Sequence, residues 1–202
     1  MRDRQKDYSP TNDCLREMAG HVIWEIGRLR KAFHEWSELS NQRQPTNSES
    51  LYGAIELALL HYRALLEFFR SAPKQVCIDG KISVDIVATD YIGTSVSERL
   101  KKSGEELWKM YKSRIDQQLC HISTGRCESQ VWRKWPTGIM EEKMEYLIRK
   151  LKENLPAESA SWFSALTIGS IRSATDEISN GTPTVEVRPF PMPLSASSAS
   201  RR

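Results

Sequence analysis

Residues 48–71, SESLYGAIELALLHYRALLEFFRS, decide the fold. Leu51, Ile55, Ala58, Leu59, Tyr62, Leu65, Leu66 and Phe69 recur at steps of three and four, which puts them on one face of a helix. Leu57, Leu60 and Phe68 widen that face, so this helix is expected to be the most buried of the set. Pro73 ends it, and the polar run before it, SNQRQPTNSES with Pro45, separates it from a preceding helix.

That preceding helix is predicted from about Thr11 to Leu39. Ser9 or Thr11 caps it, and Leu15, Met18, Val22, Ile26, Leu29, Phe33 and Trp36 form its apolar stripe. Downstream, residues 74–94 are rich in β-branched side chains, and Asp79-Gly80 suits a tight turn, so a small hairpin or an ordered loop is expected there. A third helix follows from about Ser95 to Ser123. Ser95 and Glu98 offer a capping box, and Leu107, Trp108, Tyr111, Ile115, Leu119 and Ile122 face inward. A fourth follows Pro136 and carries Met140, Met144, Leu147, Ile148 and Leu151. A short fifth starts at Pro156 and brings Trp162, Phe163 and Leu166. The fold class read from this pattern is all-α: a four-helix up-and-down bundle over 11–178, with a short extra helix and a hairpin or loop insertion. Residues 1–10 are expected to be a flexible lead, and 179–202, with four prolines and a Ser/Ala run, a disordered tail. There is no internal repeat.

Composition narrows the function classes. In 202 residues, 39% are hydrophobic, and six Trp, six Tyr and five Phe supply large side chains for a core. No apolar run reaches the roughly 18 residues a membrane span needs. The charged start, MRDRQKDYSP, leads into no apolar segment, so a cytoplasmic protein is expected. Four cysteines, at 14, 77, 120 and 127, lie far apart and lack paired short spacings, which argues for reduced thiols and against zinc. Net charge is +3, of which the last 24 residues carry +2. Residues 99–134 hold nine basic and four acidic groups, among them Lys112 and Arg126; this strip reads either as a solvated helix face or as a phosphate-binding surface. No phosphate loop, nucleophile elbow or zinc-protease motif occurs, and no cofactor is expected.

One stretch has chemistry to offer: RIDQQLCHISTGR, 114–126. On a helix, Arg114 and His121 fall within about 20° of each other at the margin of the apolar face, two turns apart. A histidine can move protons at a ribose hydroxyl or a leaving oxygen, and an arginine can hold the phosphate. The spacing is not selective, since Arg16–His21 and Arg28–His34 are similar. Asp85 and Asp90 can cap a helix, bind a backbone loop or line a site with Arg63, and Trp132 and Trp135 can either stack on bases or close the end of the bundle.

A helical bundle with R-x(4–6)-H on a late core helix resembles the HEPN superfamily. More closely, LLHYRALLEFFR (59–70), DIVATDY (85–91), the Trp108 region and RIDQQLCHISTGR resemble a group of uncharacterised helical bacterial proteins of HEPN-like character, over about residues 50–135. The resemblance implies an up-and-down bundle, often a homodimer. It also implies RNA cleavage without a metal in a defence or toxin setting, with Arg114 and His121 as the catalytic pair. Active members place a polar residue directly after the arginine; here Ile115 stands there, and Asp116 is the first polar side chain. Arg63, Lys112 and Arg126 are the accompanying binding candidates. The competing expectation is a non-catalytic module that binds another polypeptide.

Overall fold

The computed structural model describes residues 2–3, 10–41, 48–70, 74–78, 81–92, 94–119 and 135–166. The fold is all-α. Four long helices, α1 (Asn12–Ser40), α2 (Ser48–Phe69), α3 (Thr94–Leu119) and α4 (Thr137–Glu153), are followed by the short α5 (Ala157–Trp162). A small antiparallel sheet accompanies them in the order β1 (Arg2–Asp3), β2 (Lys74–Ile78), β3 (Lys81–Val84). Strands β2 and β3 thus pair antiparallel, with Gln75 opposite Val84 and Ile78 opposite Lys81.

The helix ends follow local chemistry. Thr11 caps α1: its hydroxyl accepts the Cys14 N–H at 3.3 Å. Helix α3 begins at Thr94, one residue before the cap expected at Ser95. Pro136 and Pro156 immediately precede α4 and α5, where a missing N–H costs nothing. Between hairpin and α3, a single 3-10 turn, Ala88–Asp90, is closed by the Asp90 carboxylate accepting the Val87 N–H at 2.9 Å.

Helix α1 packs on α2, α2 on α3, α3 on α4, and α5 returns to α1. Rings join the first three helices: Phe33 stacks on Trp36, Tyr62 meets Phe33 edge-on at 6.2 Å, and Tyr111 meets Tyr62 edge-on at 5.7 Å. Tyr91 spans the other end, donating to the Leu15 carbonyl at 2.9 Å and packing on Phe163 at 5.1 Å. Helices α2 and α3 approach closely at Gly104, where a Cβ would collide with the Phe69 carbonyl.

Two expectations need correction. Leu57 and Leu60, counted toward the inner face of α2, are exposed, Leu60 by 52%. Met18, counted in the core stripe of α1, is half-buried; Ala19 is fully buried beside it. The portion of helix 3 expected beyond 119, and the tail from 179, lie outside the described residues.

Glu145 on α4 is 6% exposed, and the Arg30 guanidinium of α1 holds it through both oxygens, at 2.6 and 2.7 Å. Glu145→Ala should lower unfolding free energy by about 3 kcal/mol, because it strands a half-buried guanidinium. Arg30→Met with Glu145→Leu should recover most of that loss in urea unfolding. A single variant as stable as wild type would show the pair to be idle.

Candidate functional site

The seam between α2 and α3 gathers most of the described candidates. Arg63 lies on α2's flank, and Lys112, Arg114 and Asp116 lie within about one turn of each other on α3. Asp116 is the hub. Its Oδ1 accepts from Arg63 Nε at 2.6 Å, and its Oδ2 takes Lys112 Nζ at 2.6 Å. Arg63 also reaches Glu67 at 3.7 Å, one turn along its own helix.

Burial alone would raise the Asp116 pKa. The hydrogen bonds and charges of Lys112 and Arg63 outweigh it and hold the carboxyl below its ordinary value. With both oxygens engaged and the charge compensated, Asp116 is poorly placed to act as a base. The aromatic neighbour of this seam is Trp108, with the Arg70 guanidinium 4.6 Å and the Lys112 ammonium 5.6 Å from its ring centre.

Arg114 points elsewhere. Its guanidinium lies 4.1 Å from the centre of the Trp135 ring, and Trp135 is buried where the chain enters α4. Trp135 therefore takes the role of a lid, with a cation stacked on it. Burial lowers the Arg114 pKa below its ordinary value, and Tyr111 opposes that shift. His121, Arg126 and Trp132 lie outside the described residues, so the Arg114–His121 separation has no counterpart here.

The expected grouping of Arg63 with Asp85 and Asp90 divides. Asp90 is spent on the 3-10 turn. Asp85 and Arg63 do line one cavity, of about 790 Å³, between α1, α2 and the end of β3.

The sequence reading passed over a second polar pair. His61 Nδ1 stands 2.7 Å from Glu25 Oε2, and the ring is buried under Trp24, whose ring meets it edge-on at 5.4 Å. His61 was visible beside α2's apolar face, but its partner is 36 residues away on another helix and no spacing rule connects them.

Among the described residues, no group of three or more His, Cys, Asp and Glu could hold a metal ion, and no helix is long and apolar enough to cross a membrane. No family model matches the chain, and no curated protein or solved structure matches it.

The Asp116 shift fixes a sign. A carboxyl with a lowered folded pKa stabilises the fold above its unfolded pKa, near 3.8. That contribution is lost as pH falls through the lower folded value. Asp116→Asn should therefore be destabilising by about 1–2 kcal/mol at pH 7 and progressively less so below about pH 4. Urea midpoints across that range measure it; a pH-independent difference would contradict the ion-pair account.

Proposed function

We propose that this chain is a non-catalytic helical interaction module that pairs with a second copy of itself through the outer face of α1 and α2. One observation carries the reading: Trp24, Leu57 and Leu60 stand exposed along that face, Trp24 by 56%. Leu57 and Leu60 are neighbours at i, i+3 on α2, and Trp24 reaches them through His61, one turn beyond Leu57. Exposed large apolar side chains grouped in this way favour a protein interface over bare solvent.

A second copy is the occupant the face suits. Gly20 and Gly27 are exposed three or four residues either side of Trp24, and a Cβ at either would meet nothing within 4 Å. A tryptophan flanked by bare helix backbone is both knob and hole, as a two-fold interface requires. Charges nearby are of both signs, Glu17, Arg28, Lys31 and Glu56, so two copies need not repel. The up-and-down course implied by the HEPN resemblance belongs to this reading. Glu25 meets His61, while Met18, earlier on α1, shares a cavity wall with Phe68, later on α2. The engagement of both Arg63 and Lys112 by Asp116 within one subunit also favours a module that binds polypeptide over one that grips phosphate.

Sedimentation equilibrium at micromolar concentration should find a dimer. Trp24→Ser with Leu60→Ser should give a folded monomer. Gly27→Ala should stabilise the monomer by roughly 1 kcal/mol through helix propensity while weakening the dimer. A monomeric wild type overturns the pairing.

A second reading is a metal-independent ribonuclease. Arg114, half-buried on Trp135, is the observation that favours it. On that reading, wild type cleaves mixed RNA in EDTA, and His121→Ala and Arg114→Ala each lose activity by about 100-fold or more. Absence of cleavage by wild type, or equal cleavage by His121→Ala, removes it.

A further inference from the structure

We propose that the core where α1, α2 and α3 meet around Phe33 binds internal water, held by the Tyr62 hydroxyl and the Trp36 indole N–H. Tyr62 is fully buried and Trp36 is 1% exposed, yet neither polar atom has a hydrogen-bond partner in the protein. Among the described residues, no other buried side chain carries a polar atom both sealed from solvent and unbonded. Elsewhere the interior answers its polar groups directly. The Tyr91 hydroxyl donates to the Leu15 carbonyl at 2.9 Å, and Glu145 takes Arg30 through both oxygens. Buried groups without a protein partner are where proteins keep ordered water.

Both orphaned groups belong to one ring cluster. The Phe33 ring lies 6.0 Å from that of Trp36, parallel to within 14°, and 6.2 Å from that of Tyr62, edge-on. Tyr111 meets Tyr62 edge-on at 5.7 Å. Phe33 has no polar atom to offer, and the Tyr62 hydroxyl makes no bond to Tyr111. Burial, and after it the neighbouring Tyr111, raises the Tyr62 pKa well above its ordinary value, so the phenol stays neutral. The indole N–H only donates, whereas the phenol both donates and accepts. Water answers both: it accepts the indole proton and gives or takes one at the phenol. It is also the smallest molecule able to do so, as a close-packed interior requires. Ordering it costs less than leaving two buried groups unbonded.

The site makes no use of Trp24, Leu57 or Leu60, so it stands whether or not the chain pairs. A crystal structure of the full chain, at a resolution that shows ordered water, tests it directly. Water within hydrogen-bond distance of Tyr62 Oη and of Trp36 Nε1 is expected. Either atom found dry, or bonded to a protein group in water's place, overturns the proposal. Tyr62→Phe gives a readout in solution. Deleting a hydroxyl that holds water should lower the urea midpoint by roughly 0.2–0.7 M while the chain still folds. A hydroxyl buried with no partner gives the opposite sign, because phenylalanine sheds its desolvation cost. A midpoint equal to or above that of wild type therefore overturns the proposal as well.

Discussion

The arrangement of the long helices turns on one buried ion pair. Arg30 and Glu145 are 115 residues apart, and no local rule brings them together. Glu145 sits among Met144, Leu147 and Ile148, all 1% exposed or less, in the inward stripe of α4. A carboxylate there is tolerable only with both oxygens bonded, and the planar guanidinium supplies that bonding in one geometry. Methionine and leucine side chains of α4 could pack at several rotations or slid by a turn. Glu145 could not, because each such shift leaves a charge in hydrocarbon. The pair contributes little net free energy beyond an apolar substitute, yet it selects one register of α4 against α1.

Most of the architecture was legible because the apolar residues keep helical spacing. The stripe from Leu15 to Trp36 marked α1, and the methionines and leucines of 140–151 marked α4, with proline at the entry to α4 and α5. The β-branched runs around Asp79-Gly80 left a hairpin and an ordered loop both open, and the pairing of β2 with β3 decides between them. What spacing could not decide was the outer limit of a wide apolar face. Leu57 and Leu60 extend the face of α2 beyond half the helix circumference. A periodic pattern of that width has no internal sign of where the neighbours stop, and here α1 and α3 stop short of both leucines.

The same distinction governs the polar sites. Lys112 to Asp116 is an i, i+4 pair within α3 and could be read from the sequence. Arg63 to Asp116 crosses from α2 to α3, and Glu25 to His61 crosses from α1 to α2; each depends on the rotation of two helices about their axes. Local spacing gives a residue's angle on its own helix and nothing about what stands opposite. Arg114 illustrates the consequence. Its place at the margin of α3's apolar face was legible, but its stacking on Trp135 depends on where the chain re-enters to begin α4.

The polar pairs also differ in what they leave available. Asp116 is answered by two cations and held ionised, and Glu67 meets Arg63 as well, so these four charges of the α2–α3 seam balance. The outer face of α1 and α2 is different: its apolar residues reach solvent at Trp24, Leu57 and Leu60. Trp24 covers His61 within the subunit, yet Trp24, Leu57 and Leu60 still leave large apolar surfaces in water, where lysine or glutamate would serve a lone bundle as well. Gly20 and Gly27 sharpen the point. Each costs its helix roughly 1 kcal/mol relative to alanine, and neither is needed to avoid a clash within the subunit, unlike Gly104 against Phe69. Helix propensity is given up at two open positions on either side of an exposed tryptophan, so another helix is able to approach that backbone closely. A second α1 can do so, with the tryptophan of each copy lying over the glycines of the other.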